Sequence, residues 1–455
     1  MKDWPALGCV ALCAFHPFFL PFGVLLLSDA PFLAVALTAA MLADSALRKN
    51  GRLAMAIAAG LFAGISAELR TVGLAVIAGI FFAGVIRRAW KQTAVTALAA
   101  APFLALALWP LIAAIRAHAG TQTALAEPGW TQTLAYTTSY LRFWRMCVPD
   151  APFFFAMLWQ NLVTFLIEPG ILITLPVQSH STVVSAIVLI LSGAIFLGIT
   201  RQARKGEWKP LHFIFAFNAA MILPWNYPLM GRFLLLFLPL FYAGLWVEGK
   251  RFFGTLGKSV RSGHAGAERI LAAAMGLGII GLGAIAARNY FDGVREQLTL
   301  IRQSRGVMLG EKKEAYDWIR RNTRAEDSIV AYEDAALYLY TGRQSVRPIA
   351  FSTESMYRED GVSVKRDLEH ITDAARHIRA RYWVMAADDY QQENLKPAGL
   401  LDERIAELKS VLPVVFRGQE GRVEIRELTC LNEPQRPECG AAAAVLFPAR
   451  GASNH

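Results

Sequence analysis

Hydrophobic and polar positions divide this chain at about residue 288. Before that point, apolar runs long enough to cross a bilayer alternate with short basic clusters, which predicts membrane-spanning helices. The runs fall at about 5–27, 31–47, 53–68, 72–86, 93–115, 181–200, 211–226, 232–248 and 270–287, about nine spans in all. The stretch 116–180 breaks the rhythm. It is rich in aromatics and prolines and carries Arg142 and Arg145, so it reads as one or two helices lying in the interface, with Trp and Tyr at headgroup depth.

Beyond residue 288 the apolar positions alternate over short intervals, as in a domain that sits in water. Residues 311–322 have helical spacing, 328–332 read as a strand, and AALYLYTGR as a helix closing on Gly342. A strand near 345–350, a helix over 364–380, a strand at 381–387 and a helix at 398–409 follow. VLPVVFRG and RVEIREL then form a hairpin-like pair. Strand–helix alternation predicts a small α/β domain over 289–430 with a partly parallel sheet. Residues 431–455, rich in Ala, Gly and Pro towards the end, are expected to be disordered. The fold class is thus an α-helical polytopic membrane domain, 1–288, followed by a small extracytoplasmic α/β domain.

Composition agrees with this division. The chain has 455 residues, 55% hydrophobic, and a mean hydropathy of +0.35. Its net charge of +10 belongs to the membrane part, where 22 Lys and Arg face 10 Asp and Glu. The basic residues lie in loops between helices, which argues against nucleic-acid binding. Placing the N-terminus in the cytoplasm puts 16 basic residues on the inner side and six on the outer, while the acids divide five and five. That is the positive-inside bias, expressed in Lys and Arg alone. The expected location is therefore a bacterial inner membrane. The turns at 28–29, 68–70 and 227–232, the 116–180 segment and the α/β domain are then all periplasmic.

Five cysteines do not make a framework. Cys9 and Cys13 fall in the first apolar run, whereas Cys430 and Cys439 could bridge in an oxidising compartment. No Cys/His spacing suggests zinc, and no phosphate loop, GxSxG elbow or HExxH occurs.

The candidate chemistry lies in polar residues at the outer ends of the spans. Arg232 begins an apolar run beside Trp225, Asn226 and Tyr227, and an Arg fork suits a phosphate. Arg70 follows Glu68; they are either snorkelling interfacial residues, or an Arg aimed at an anionic headgroup with Glu68 steadying it or binding a divalent cation. Asp29 reads first as a helix cap, with a ligand contact as the alternative. His16, in a run broken by proline, reads as a packed residue before it reads as a base.

Several stretches resemble the multi-spanning glycosyltransferases of the GT-C fold, in particular the bacterial dolichyl-phosphate-mannose and aminoarabinose transferase-like group. They are HPFFLPFGVLLLSDAPFLAVAL at 16–37, LFAGISAELRTVGLAVI at 61–77, GRFLLLFLPLFYAG at 231–244 and EAYDWIRRNTRAEDSIVAYEDAALYLYTGR at 314–343. The resemblance implies a polyprenyl-phosphate-linked sugar as donor and transfer to an acceptor on the outer face of the membrane. It casts Arg70 and Arg232 as donor-phosphate residues, and His16, Asp29, Glu68, Trp225, Asn226 and Tyr227 as pocket lining. The chain also departs from the family. The family's paired acids lie in the first outer loop, ahead of the region matched here, and no such pair stands near residue 1. The expectation is either a chain shortened at its N-terminus or a degenerate relative; the general base of an inverting transfer is then missing from the sequence, and Asp29 is only a weak candidate for that role. The alternative is a non-catalytic binding or assembly subunit, or a lipid or polysaccharide carrier, using the same basic outer pocket.

Overall fold

The computed structural model describes residues 10–18, 29–48, 50–118, 150–175, 182–205, 208–225, 227–229, 231–261, 266–358, 360–390, 395, 399–433, 435 and 445–446. They divide into two compact units. The first comprises Met1–Trp109, Pro152–Trp225 and Leu229–Ile301; the second comprises Pro110–Ala151, Asn226–Pro228 and Arg302–His455.

The first unit is helical: α1 (Asp29–Ala46), α2 (Leu53–Leu69), α3 (Gly73–Ile86), α4 (Trp90–His118), α5 (Ala151–Thr174), α6 (Thr182–Arg204), α7 (Pro210–Ile222), α8 (Leu238–Arg261) and α9 (Gly266–Asn322), with residues 110–118 of α4 and 302–322 of α9 counted in the second unit. Among the described residues four helices are long and apolar enough to cross a membrane: Asp29–Ala46, Trp90–Trp109, Ala151–Thr174 and Thr182–Arg204. Helices α2, α3 and α7 are apolar but shorter. The segment expected to lie in the interface thus contains α5, which has the length and composition of a span; residues 119–149 lie outside the described residues.

Two further differences have local causes. The run at 232–248 does not begin as an α-helix. It opens with 3-10 turns at Gly231–Phe233 and Leu235–Phe237, and α8 starts only at Leu238, where Pro239 supplies a first-turn residue that needs no amide partner. The run at 270–287 is part of the 57-residue helix α9, which passes through the expected boundary at 288 without a break.

Helices in this unit meet through small residues, the usual device where lipid removes the hydrophobic drive to associate. Ala39, Ala43, Ala59 and Ala63 are buried in the core. Gly198 of α6 lies so close to α8 that a Cβ there would stand 2.0 Å from the Gly244 carbonyl oxygen. The outward faces carry exposed apolar side chains such as Met41, Leu98, Trp159 and Ile190, as lipid contact requires.

Polar groups buried here are used to mend the backbone. Pro169 interrupts the hydrogen-bond ladder of α5. Ser192 Oγ of α6 accepts the Gly170 amide at 2.8 Å and donates to the Ile167 carbonyl at 2.9 Å, so the broken turn finds its partners across the helix interface. One end of the unit gathers Asp44, Arg87 and the Trp208 carbonyl, with Arg87 Nη2 donating to Asp44 Oδ1 at 2.9 Å. Arg201 pairs with Glu248 at 2.6 Å. Asp29 is at the other end of α1 from Asp44.

The second unit holds a five-stranded sheet in the order β2-β1-β3-β5-β4, with β1 (Ile329–Ala331), β2 (Ser345–Val346), β3 (Tyr382–Ala386), β4 (Val414–Arg417) and β5 (Val423–Glu427). β1 pairs in parallel with β2 and β3, and β5 runs antiparallel to β3 and β4. Side chains alternate across β3. Trp383 and Met385 enter one core with Val330 and Leu368, while Tyr382 and Val384 enter another with Ala315 and Ile319 of α9. Gly342 ends α10 (Asp334–Thr341) at φ +67°, a left-handed cap that glycine takes without strain. The helix predicted over 364–380 is two, Gly361–Glu369 and Asp373–His377; the first is capped by Asp360, whose Oδ1 accepts the Ser363 amide at 2.6 Å.

Two expectations about the C-terminal stretch fall here. Cys430 is disulfide-bonded, and Cys439, its expected partner, lies outside the described residues. Within the stretch expected to be disordered, Leu446 is fully buried in the sheet's core and the Val445 carbonyl accepts Arg404 at 2.8 Å, so this part is held by apolar burial.

Candidate functional site

The site forms where three chain turns of the first unit meet. Asp29 is the first residue of α1, and it is buried. Arg70 ends α2 in an extended conformation that swings its side chain away from the helix axis, while its amide still bonds the Ser66 carbonyl. Arg232 sits in the 3-10 turn Gly231–Phe233. Asp29 and Arg70 form an ion pair. Both guanidinium groups then stack on one ring: the Arg70 Cζ is 5.6 Å and the Arg232 Cζ 5.3 Å from the centroid of Phe233.

These three charged residues line one small cavity with Phe32, Leu33, Val72, Phe233 and Leu236 as its apolar walls. Its volume is about 10 Å³, room for about one water molecule. Burial first, and the neighbouring charge of Arg232 second, pull the Arg70 guanidinium down to about 10, so it stays protonated at neutral pH. Two cations and one carboxylate thus face an apolar enclosure, and the lining itself carries an excess of positive charge.

Helix α5 positions the turn that bears Arg232. Asn161 Nδ2 donates to the carbonyls of Leu223 at 2.9 Å and Trp225 at 3.0 Å, which fixes the end of α7 and the chain leaving it. Two turns along the same face, Glu168 and Leu172 press against Gly231. A Cβ at Gly231 would lie 2.3 Å from Glu168 Oε1 and 3.4 Å from Leu172 Cδ2, so the bare backbone is what admits the carboxylate. Trp225 packs on Phe233, ring centroids 6.4 Å apart, and supports the platform under both arginines.

Of the residues expected to line the pocket, the structure therefore brings together Asp29, Arg70 and Arg232, with Trp225 behind them. His16 is fully buried one turn beyond Glu168: its Nε2 bonds the Leu172 carbonyl at 2.8 Å and its Nδ1 accepts the Phe18 amide at 3.3 Å. Both ring nitrogens are thus engaged in holding backbone. Glu68 is exposed on the last turn of α2 and does not line the cavity. Asn226 lies outside the described residues, and Tyr227 belongs to the second unit. Among the described residues no group of three or more His, Cys, Asp or Glu is placed to hold a metal ion. Sequence reasoning missed Phe233 and Glu168. Glu168 had a signal, since it is the one charged residue in the apolar sequence of α5.

No protein-family model matches the chain, and no curated protein matches it. Among solved structures it is similar to the archaeal oligosaccharyltransferase AglB from Archaeoglobus fulgidus, determined in complex with an inhibitory peptide and a dolichol-phosphate. The identity is 12% and the TM-score 0.31, over 90% of this chain and 56% of that one, so the chain spans little more than half the length of that protein. A likeness at that TM-score carries no argument about function.

Proposed function

We propose that this chain is a membrane glycosyltransferase of the GT-C type that moves a sugar from a polyprenyl-phosphate donor to an acceptor at the outer face of a bacterial inner membrane. In this reading the membrane part crosses about nine times, with a cytoplasmic N-terminus and a periplasmic α/β domain. Arg70 and Arg232 grip the donor phosphate. The observation that carries the proposal is the convergence of these two arginines on Phe233 in an apolar cavity whose lining has one carboxylate. A lining with two arginines and one carboxylate among apolar walls suits an anion, and a lipid-linked phosphate brings both the charge and an apolar tail.

The cavity holds one water, so the donor phosphate must displace Asp29 from Arg70 as it enters. Asp29 is then a counter-ion that reserves the site rather than a base. The second reading, a non-catalytic carrier-binding subunit, draws on the lining itself, whose one carboxylate is paired with Arg70 in the ligand-free chain.

The test is binding of a short-chain polyprenyl phosphate to the purified full chain in detergent. Arg232→Ala is expected to lower affinity by about 100-fold, the scale of one lost charge-assisted bidentate contact, while the variant still inserts. Wild-type affinity in that variant removes Arg232 as the phosphate clamp.

A further inference from the structure

We propose that Glu168 accepts the proton of the acceptor hydroxyl in the transfer described above; the inference rests on that reading of the site. Glu168 stands two turns along α5 from Asn161, which holds the Trp225 carbonyl, with its carboxylate against Gly231, and the next residue, Arg232, lines the cavity. Among the described residues no hydrogen bond or ion pair engages it. In the ligand-free chain Asp29 is in the opposite condition, bound to Arg70, and its place beside the entering phosphate is that of a displaced counter-ion. A carboxylate held by a guanidinium loses basicity, whereas one without a cationic partner keeps it.

The position is costly to maintain. α5 carries no other charged residue, and an ionisable side chain in such a helix is a functional candidate by default. Three separate features keep Glu168 in place. Gly231 leaves room for the carboxylate, Ser192 repairs the backbone broken by the adjoining Pro169, and His16 ties down the Leu172 carbonyl one turn beyond.

In the step itself, the acceptor O–H proton passes to a Glu168 oxygen while the hydroxyl oxygen bonds to the anomeric carbon of the donor sugar. The bond from that carbon to the phosphate oxygen breaks, and its electron pair leaves with the polyprenyl phosphate, whose charge faces Arg70 and Arg232. Attack opposite the leaving phosphate inverts the anomeric centre. Glu168 returns its proton to water. The charged and titratable groups around it are Arg232 on the facing turn, Arg70 and Asp29 beyond that, and His16 on its own side.

The experiment uses the full chain in liposomes with short-chain polyprenyl phosphates carrying radiolabelled mannose, glucose or galactose, and native membrane extract as the source of acceptors. Glu168→Gln is expected to bind the unglycosylated polyprenyl phosphate within ~2-fold of wild type while turnover falls by ~100-fold or more, and the acid limb of the kcat–pH profile should vanish. Glu168→Asp should recover part of the rate. Wild-type turnover in Glu168→Gln, or loss of carrier binding in step with turnover, overturns the role of Glu168 and leaves the functional reading standing. If the unaltered chain neither binds the carrier nor turns over, that reading fails and Glu168 with it.

Discussion

Asp29, the residue that opens α1, forms an ion pair with Arg70, the residue that closes α2. Asp29 is buried and Arg70 half-buried, so the pair is worth more as a constraint than as a source of stability: removing one partner strands the other charge. Asp29→Asn should therefore destabilise the protein by about 3 kcal/mol. It should also leave Arg70 open to an external anion. Polyprenyl phosphate should raise the melting temperature of Asp29→Asn by more than that of wild type, measured by thermal unfolding in detergent. Equal shifts would show that Asp29 does not compete with the ligand.

Phe233 is the ring on which both guanidinium groups rest. Phe233→Leu keeps the apolar volume but removes the face that attracts cations. Each such contact is worth about 0.5–2 kcal/mol, so the variant should bind polyprenyl phosphate about 10-fold more weakly at unchanged stability. Equal affinity would mean that the arginines are held by other contacts.

Arg70 and Arg232 could be picked out in the sequence because a lone cation at the edge of an apolar run is conspicuous whatever the fold. Their meeting could not, since it depends on the extended backbone at Arg70 and the 3-10 turn at Gly231–Phe233, neither of which has a hydrophobic period. Glu68 shows the same limit from the other side. Two positions from Arg70 in sequence, it stays on the helix and points elsewhere. The strands of the second unit were legible because β-branched and aromatic residues mark them, and Gly342 marked the end of its helix. Helix α5 was read as interfacial because its aromatics and Glu168-Pro169-Gly170 resemble an irregular segment; Ser192, distant in sequence, is what makes that helix continuous.

Ser192→Ala tests that repair. It leaves the Gly170 amide and the Ile167 carbonyl without their partner in a buried setting, at a cost of about 1–3 kcal/mol. The loss should appear as a lower melting temperature and as faster hydrogen exchange near residues 167–170. Unchanged exchange there would show that the turn needs no help from α6.

The second unit carries a pH dependence of its own. Burial, ahead of every other influence, raises the Asp389 carboxyl to about 7, against the favourable Ala386 amide bond and the charge of Lys312. Lys312 pairs with Glu333 at 3.1 Å and Asp388 at 3.0 Å; its own burial is outweighed by these carboxylates and it remains charged. An acid whose folded value lies above its unfolded value binds more protons in the folded state across the interval between them. The contribution of Asp389 to stability is therefore complete below the ordinary carboxylate range and is lost as pH climbs towards about 7. Asp389→Asn keeps an oxygen for the Ala386 amide and removes the titration. The variant should flatten the stability profile over that interval and be the more stable protein at pH 8, read from hydrogen exchange of the β3 amides in the full chain. A slope that survives the substitution would show that Asp389 is not its source.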